Sequence, residues 1–392
     1  MKQWLRKTVA GVLAATALTG MAGAANFTHC ADALKQMELF VGTKNGYELD
    51  RAPTRAEAAV MLVRLLGQED AAKSGSYDIP FTDVPNWAAP YVGWLYEKEL
   101  TVGVSDTKFG TTQNCNAKQY ATFLLRALGY ADGSDGYTYD TALDFAQKQG
   151  VVDAVNCDTQ NFLRDDVVAM SYTALSRPTK DGADTLLDAL IEQGSVNKSK
   201  ASDTLTLFQN YRAYSQLKQQ TNKTNPRTYQ LEATITDNAY NSLSCSGTAT
   251  VDGEHLSVAL RQDDTLLVGL YQNDGVLYQY QNGQTVRAKQ PISLGQTTEI
   301  PISAVEALSV QNGKYGFSLV PTVLNSMVSM QGTTLKQVDY SVRTQDDLIY
   351  QQTGRIHVSM PVNGKTATYE IEIKAVLSDT AQQVSVPEGM EI

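Results

Sequence analysis

Three segments in the first half of the chain repeat one pattern of apolar positions. They are residues 54–67, 116–129 and 163–176, and each carries apolar residues four, seven, eleven and twelve positions after its first residue. These spacings place the apolar side chains on one face of an α-helix. Another helical stretch with matched apolar positions precedes each segment, so each unit is predicted to be helix, loop, helix. No unit buries its apolar face alone, so the three are predicted to pack together.

The spacing of apolar residues becomes alternating after residue 227. Tyr229, Leu231, Ala233 and Ile235 alternate with polar residues, as in a strand with one buried face. The alternation recurs at 256–260, 266–270, 276–280, 338–342, 356–360 and 369–375, and Asp-Gly or Asn-Gly pairs at 252–253, 274–275, 282–283 and 363–364 predict hairpins. Helices are predicted at 205–217 and near 303–309 and 320–330. The pattern predicts an antiparallel sheet whose apolar face is covered by helices.

Residues 1–24 have the three parts of a secretory signal peptide. Basic residues at positions 2, 6 and 7 precede an apolar stretch, and Ala22-Gly23-Ala24 fits a cleavage site. No later stretch is apolar enough to span a bilayer, so no transmembrane segment is predicted in the mature protein. The remaining chain divides into helical repeats at 27–177 (about 27–67, 81–130 and 137–177), a helical linker at 178–202 and a sheet-rich α+β domain at 203–392.

The charge and the cysteines narrow the range of partners. A formal net charge of −10 argues against nucleic acid and anionic membrane. No C-x-x-C motif occurs among the four cysteines, so no zinc site is predicted, and no other metal or cofactor is implied. Cys30 aligns with apolar positions and is predicted to be a buried thiol. Export permits disulfides, and whether Cys115 pairs with Cys157, both in loops between helices, stays open.

The start of the first repeat's second helix carries the most chemistry. Thr54 with Glu57 forms a capping box, in which each side chain bonds the backbone N–H of the other residue. Arg55 and Arg164 both come directly after the capping position of their helix. An arginine beside free helix N–H groups suits a small anion such as a carboxylate. The alternative is that both arginines are solvated surface residues, and the spacing leaves both interpretations open.

Several motifs in residues 27–177 resemble the S-layer homology family. They are the Thr54–Glu57 tetrad T-R-A-E, the entry Phe81-Thr82-Asp83-Val84-Pro85 followed by Trp87, and the ending Ala127-Leu128-Gly129. The resemblance implies a three-repeat helical prism that binds secondary cell-wall polysaccharide, often through pyruvylated sugars. It further implies that Arg55 contacts the ligand anion, that Asp83 and Trp87 line a groove, and that Gly42 and Gly103 are the family's loop glycines.

The repeats depart from the family pattern in ways that reduce the expected number of binding sites. The second unit has Ala117 where the arginine belongs, with Lys118 next to it. The third unit keeps Arg164 but has Leu163 in place of threonine. Only the first unit has the full tetrad, so at most one or two working sites, or a weakened module, are expected.

The second half resembles the LolA/LppX-like superfamily of lipoprotein carriers. The likeness rests on the element order and on the ending Val384-Ser385-Val386-Pro387-Glu388. It implies an antiparallel curved sheet, or half-barrel, with covering helices that hold an apolar or lipid-like ligand. A sheet packed solidly on its helices is the alternative. Tyr271, Tyr278 and Tyr280 are expected to be ordinary cross-strand packing, with a sugar-stacking platform as the other interpretation.

No catalytic motif is recognisable in the sequence, so a catalytic role is not predicted. The three histidines belong to no H-E-x-x-H motif, and neither a G-x-S-x-G nor a Walker motif occurs. The sequence therefore predicts an exported cell-surface protein with an α-helical wall-binding module and an α+β domain. A cell-wall enzyme of unrecognised type and a purely structural envelope protein remain as alternatives.

Overall fold

The computed structural model divides the chain into two compact units. One holds Ala25–Phe208 with Pro301–Ser303, and the other holds Gln209–Ile300 with Ala304–Ile392. The structure describes residues 26–153, 155–182, 184–281, 283–288, 300–325, 333–362 and 365–392. The predicted signal peptide lies outside these residues.

The first unit is helical and has the predicted order of helix, loop, helix in each repeat. The entry helices are α1 (Thr28–Gln36), α4 (Ala89–Glu97) and α6 (Ala142–Lys148), and the repeat helices are α2 (Arg55–Leu65), α5 (Ala117–Ala127) and α7 (Arg164–Leu175). Two further helices are α3 (Glu69–Ser74) and α8 (Leu186–Glu192). The three repeat helices contact one another pairwise. All of α7 is buried, which explains why its sequence lacks a polar face.

One long helix contains both the boundary predicted at residue 203 and the division between the two units. Helix α9 runs over Lys198–Lys223, and the two units divide within it, between Phe208 and Gln209. None of the described helices has an apolar stretch long enough to cross a membrane.

The second unit is built on one antiparallel sheet of eleven strands that does not close. The strand order is β6-β5-β4-β3-β2-β1-β11-β10-β9-β8-β7. The strands are β1 Arg227–Asp237, β2 Ser242–Asp252, β3 His255–Gln262, β4 Thr265–Asn273, β5 Val276–Gln281, β6 Gln284–Arg287, β7 Val305–Gln311, β8 Lys314–Leu319, β9 Thr334–Gln345, β10 Leu348–Val362 and β11 Lys365–Leu377. Two meanders therefore meet where β11 pairs with β1.

The predicted alternation along the strands is confirmed by the burial of one sheet face. Ala233 and Ile235 of β1 pack with Leu243 and Cys245 of β2 in one apolar cluster. The predicted turns at 252–253 and 274–275 connect β2 to β3 and β4 to β5. The turns predicted at 282–283 and 363–364 contain residues outside the described part of the chain.

One predicted helix is wrong. Residues 303–309 form the end of a short 3₁₀ turn, Ile302–Ala304, followed by strand β7. The segment Ser-Ala-Val-Glu-Ala-Leu favours a helix locally, but pairing with β8 overrides that preference. The later helix is present as α10, Pro321–Asn325, and residues 326–330 are not described.

A close approach between strands explains one glycine of the sheet. A Cβ at Gly247 would lie 1.8 Å from the Ala259 carbonyl oxygen, whereas a Cβ at Gly354 would meet nothing within 4 Å. We expect Gly247→Ala to lower the free energy of unfolding by about 1–3 kcal/mol, because the neighbouring strand must shift. Gly354→Ala is the matched control and should be neutral or stabilising. Urea denaturation of both variants checks this, and equal stabilities would contradict it.

Candidate functional site

The first repeat helix begins with a complete capping box. The Thr54 hydroxyl accepts a hydrogen bond from the Glu57 N–H at 3.3 Å, and the Glu57 carboxylate accepts one from the Thr54 N–H at 2.8 Å. Glu57 also forms an ion pair with Arg51 at 2.7 Å. Its carboxylate is therefore already bound to the protein's own groups.

Arg55 is buried rather than solvated, with 5% of its surface exposed. Its Nε donates to the Phe109 carbonyl at 2.9 Å, and its guanidinium lies 4.9 Å from the Phe109 ring and 5.1 Å from the Phe123 ring. Burial lowers the pKa of Arg55. A backbone hydrogen bond also joins the first repeat to the second, because the backbone N–H of Arg55 donates to the Gln113 carbonyl. Arg55 therefore connects the first repeat helix to the loop of the second unit.

Arg164 makes the equivalent connection between the third unit and the first. Its Nε donates to the Tyr47 carbonyl at 3.1 Å, and its N–H donates to the Arg51 carbonyl. Its guanidinium also lies 5.7 Å from the Phe40 ring. Only 4% of Arg164 is exposed, so the interpretation of both arginines as surface residues is wrong.

Asp83 organises the loop that receives Arg55. Its carboxylate accepts hydrogen bonds from the N–H groups of Phe109, Gly110 and Thr111 at 2.8, 2.9 and 3.3 Å. Desolvation opposes ionisation, but these hydrogen bonds outweigh it and lower the pKa of Asp83. Gly103 belongs to the same loop. It packs closely on Phe81, because a Cβ there would lie 2.4 Å from the Phe81 ring.

A groove of about 330 Å³ lies between the first and second repeats of the helical unit, and the third repeat contributes one side chain to it. Three of the expected binding-site residues line it, namely Gly42, Trp87 and Arg164, and so does the capping residue Glu57. Arg55, Asp83 and Gly103 are not among its lining residues. The other lining residues are Val41, Thr43, Val60, Met61, Arg64 and Tyr91. Trp87 is 56% exposed and gives the groove a flat apolar surface.

Two groove residues, Arg64 and Tyr91, are not among those expected from the sequence. Arg64 forms an ion pair with Glu69 at 2.9 Å, and the Tyr91 hydroxyl donates to the same carboxylate at 2.7 Å. A signal was present, because Arg64 and Arg126 occupy the same position in the first two repeats. Both are now seen to pair with acids, Arg126 with Asp132 at 2.9 Å.

Arg164 differs from the other charged groups of the groove in its ion pairing. Among the described residues it has no ion-pair partner, whereas Arg64 and Glu57 each have one. Desolvation lowers the pKa of Arg164. A buried guanidinium without a carboxylate is costly unless an anion completes it. The groove therefore combines a buried guanidinium that has no ion-pair partner among the described residues with one exposed aromatic ring.

Two buried acids follow Arg164 at the start of α7. Asp165 accepts a hydrogen bond from the Phe27 N–H at 2.8 Å, and Asp166 accepts one from the Leu163 N–H at 2.7 Å. Burial raises the pKa of Asp165 to about 7 and that of Asp166 to about 6. The N-terminal segment is thus attached to the third repeat through an acid that titrates near neutral pH.

The cysteines are free thiols in the structure. The Cys115–Cys157 disulfide, left open by the sequence, is not formed. Cys115 is 2% exposed, and burial raises its pKa to about 12, so it lies in the core as a small apolar side chain. Cys30 is fully buried, as predicted.

The sheet unit contains a separate pocket of about 300 Å³. It is lined by Tyr214, Lys218, Ile300, Leu319, Val338, Asp339, Tyr340, Gln352, Gly354 and Ile356. The Tyr340 hydroxyl donates to the Gln352 side-chain oxygen at 2.7 Å, and the Tyr214 ring packs on Phe317. The predicted tyrosines lie elsewhere: Tyr271 pairs with Tyr278 across β4 and β5. The described residues contain no group of three or more acids, histidines or cysteines placed to hold a metal ion.

One segment of the chain, which holds Asp83, Trp87 and the Phe109 loop, matches a family model. Residues 80–116 match the S-layer homology domain. The S-layer homology segment, residues 80–116, thus covers the entry motif and the loop between the helices of the second repeat.

Three relatives align with between 26% and 38% of this chain. The middle cell wall protein of Brevibacillus brevis is 28% identical over 145 residues, 36% of this chain and 14% of that protein. The cell surface protein of Thermoanaerobacter kivui is 32% identical over 154 residues, 38% of this chain and 20% of that protein. An endoglucanase of a Bacillus species is 29% identical over 115 residues, covering 26% and 12%. The chain thus spans a fifth or less of each relative, and together with the S-layer homology segment they indicate a cell-surface location.

Solved structures resemble a little under half of the chain. The Mycobacterium tuberculosis lipoprotein LppX aligns with a TM-score of 0.27 and 10% identity, over 45% of this chain and 97% of its own. A LolA superfamily protein of Nitrosomonas europaea aligns with a TM-score of 0.22 and 9% identity, over 44% and 94%. These scores are too low to carry an argument about a ligand.

The raised pKa of Asp165 predicts how stability depends on pH. Because the folded protein holds this proton more tightly than the unfolded chain, its stabilising effect is lost as the pH rises from 3.8 to about 7. Asp165→Asn keeps an acceptor for the Phe27 N–H and removes the titration. Melting temperatures across that range should fall less steeply with pH for the variant than for the natural chain, and parallel curves would exclude Asp165 as the titrating group.

Proposed function

We propose that this is a non-catalytic protein held at the bacterial cell surface by non-covalent binding of cell-wall polysaccharide in the Trp87–Arg164 groove. The observation that carries the proposal is the buried Arg164 guanidinium, which has no carboxylate partner among the described residues and lines a groove with an exposed tryptophan. The match of residues 80–116 to the S-layer homology domain supports the same role.

The proposed ligand is a secondary cell-wall polysaccharide that carries an acidic substituent, such as pyruvylated sugar. A carboxylate on the sugar supplies the anion that Arg164 lacks. The Trp87 ring offers its face to the sugar ring. The protein's net charge of −10 disfavours acidic polymers in general, so attraction has to come from this local cation.

The proposed framework for the groove is a three-unit helical prism. Two of its joints have an arginine that donates to a carbonyl of the neighbouring loop, Arg55 to Phe109 and Arg164 to Tyr47. The second unit has Ala117 at that position, with Lys118 over the Tyr139 ring instead. Arg55 has the same local chemistry but is enclosed by two phenyl rings, so its proposed role is to hold the units together.

Removing the exposed ring should reduce retention on purified cell walls without unfolding the protein. Trp87→Ala removes a side chain that is 56% exposed, so little core packing is lost. We expect a loss of binding of about tenfold or more, the scale of about 1.4 kcal/mol. Co-sedimentation with cell walls measures it, and Tyr240→Ala, which removes an 89% exposed tyrosine from the sheet unit, is the matched control.

The charge is tested with two substitutions at one position. Arg164→Gln removes the cation, and Arg164→Lys keeps it while losing the planar donor to Tyr47. We expect Gln to abolish retention and Lys to retain part of it. Because both variants lose the bond to the Tyr47 carbonyl, both should melt below the natural chain, and they are compared with each other at a temperature where both are folded. Walls treated with mild acid to remove pyruvyl groups should bind the natural chain more weakly. Full retention of Arg164→Gln would rule out this groove as the anchor.

For the sheet unit we propose binding of an apolar ligand in the pocket beside Tyr214 and Tyr340. The pocket's volume favours this over a solid structural core. A glycoside hydrolase needs a pair of carboxyl groups, and Asp339 is the one carboxylate among the described lining residues. The described lining of this pocket therefore does not contain the pair of carboxyl groups that an endoglucanase would need.

Filling the pocket should abolish binding of an apolar probe. A side chain at Gly354 points into open space beside the pocket, so Gly354→Leu is expected to occupy it without a clash. Fluorescence of anilinonaphthalene sulfonate should rise with the natural chain and Gly354→Ala and should be lost in Gly354→Leu. Equal fluorescence from all three would contradict the pocket, as would lipid extracts that are reproducibly empty by mass spectrometry.

A further inference from the structure

Strand β7 is an exposed edge of the sheet. It is the last strand in the sheet order and pairs with β8 alone. Five of its seven side chains are exposed, and Val310 is 41% exposed. No described strand covers the other side of β7.

The hairpin turn determines which backbone groups of β7 point outward. Asn312 and Gly313 both have positive φ, as a type I′ turn requires, and they connect the paired residues Gln311 and Lys314. Residues flanking such a two-residue turn exchange both backbone hydrogen bonds, and the pattern alternates along the strand. Leu308 and Val310 therefore direct their N–H and C=O groups away from β8. No hydrogen bond among the described residues uses these groups.

The outer part of β7 lacks the features that normally prevent edge pairing. Natural edges are protected by charges, prolines, bulges or very short strands. The register shift between Val305 and Ala307 and the charge of Glu306 protect the start of β7. Residues 307–311 have neither charge nor proline. The opposite edge, β6, has four residues and carries Arg287.

We propose that two copies of this chain pair through β7, antiparallel, about a twofold axis at Ser309. In this register Leu308 of each copy lies opposite Val310 of the other. Leu308 and Val310 are the residues with free outward groups, so the two pairs form four backbone hydrogen bonds. The result is one continuous sheet with a self-complementary interface.

Side-chain chemistry selects this register and this partner. Leu308 and Val310 share a sheet face with the buried Phe317 and Tyr315, so pairing places apolar against apolar at the margin of that core. Sliding the copies by two residues would put Val310 opposite Glu306 in one direction, and Leu308 opposite the turn residue Asn312 in the other. A one-residue slip would oppose outward groups to inward ones. Because residues 307–311 are uncharged, two acidic chains meet here without like charges in contact.

Cysteine cross-linking tests the register. Ser309 would face Ser309 of the other copy in a non-hydrogen-bonded pair, whose Cα atoms lie about 4.5 Å apart, within the range of about 4.4–6.8 Å that a disulfide accepts. We expect Ser309→Cys to form a covalent dimer on mild oxidation. Ser318→Cys is the matched control, because it lies on the same sheet face of β8, one strand from the edge. The natural chain under the same conditions gives the background from its own thiols.

Sedimentation equilibrium of the full chain tests the association without any cross-link. We expect a concentration-dependent dimer that Val310→Lys dissociates, with the melting temperature of the monomer unchanged. The pairing is overturned by a natural chain that stays monomeric at all concentrations, by a dimer that Val310→Lys leaves intact, or by equal cross-linking of the two cysteine variants. No wall material or apolar ligand is present in these assays, so they are independent of both proposed binding sites.

Discussion

The helical unit depends on the joint between the start of one repeat helix and the loop of the neighbouring unit. At each of two joints, free N–H groups of the helix end bond loop carbonyls, and an arginine side chain donates to another carbonyl of that loop. These bonds satisfy polar groups that would otherwise be buried without partners. They also bring side chains from different units together. The groove exists because the loop around Gly42, the Trp87 entry and Arg164 come from three units.

Local signals in the helical half were strong enough to predict its elements and part of its site. The Thr54 capping box and the repeated apolar face both follow from spacing. The surroundings of the two arginines could be told apart only from the three-dimensional structure. Arg55 and Arg164 hold the same sequence position, yet the rings of Phe109 and Phe123 enclose the first while the second lines the groove. Asp83 was expected to line the ligand groove. Its carboxylate instead accepts hydrogen bonds from three backbone N–H groups of the neighbouring loop, because those N–H groups need an acceptor.

In the sheet half, some strands and the order of the strands could not be predicted from one sequence. Strands with one clearly buried face, such as β1 and β11, are visible as alternation. Strand β2 was missed because its exposed positions are serine and threonine and its buried ones include Cys245 and small residues. Strand β7 was taken for a helix, since Ala, Glu and Leu favour helices unless a partner strand supplies hydrogen bonds. Which strands are neighbours depends on long-range pairing that no local pattern records.

The meeting of the two meanders has a consequence for how the chain can be delivered to its destination. The central ladder joins Arg227–Asp237 to Lys365–Leu377, the first strand of the sheet to the last. Until the final strand is available, the half-sheet of β1 to β6 has no partner beside β1, which is an open edge. A chain that emerges from a ribosome or a translocase with its N-terminus first must therefore keep an incomplete half-sheet from pairing with other chains. The exposed face of β1 and β2 is polar, with Thr234 bonded to Ser244 and Thr236 to Ser242, so that face adds no apolar surface to the open edge.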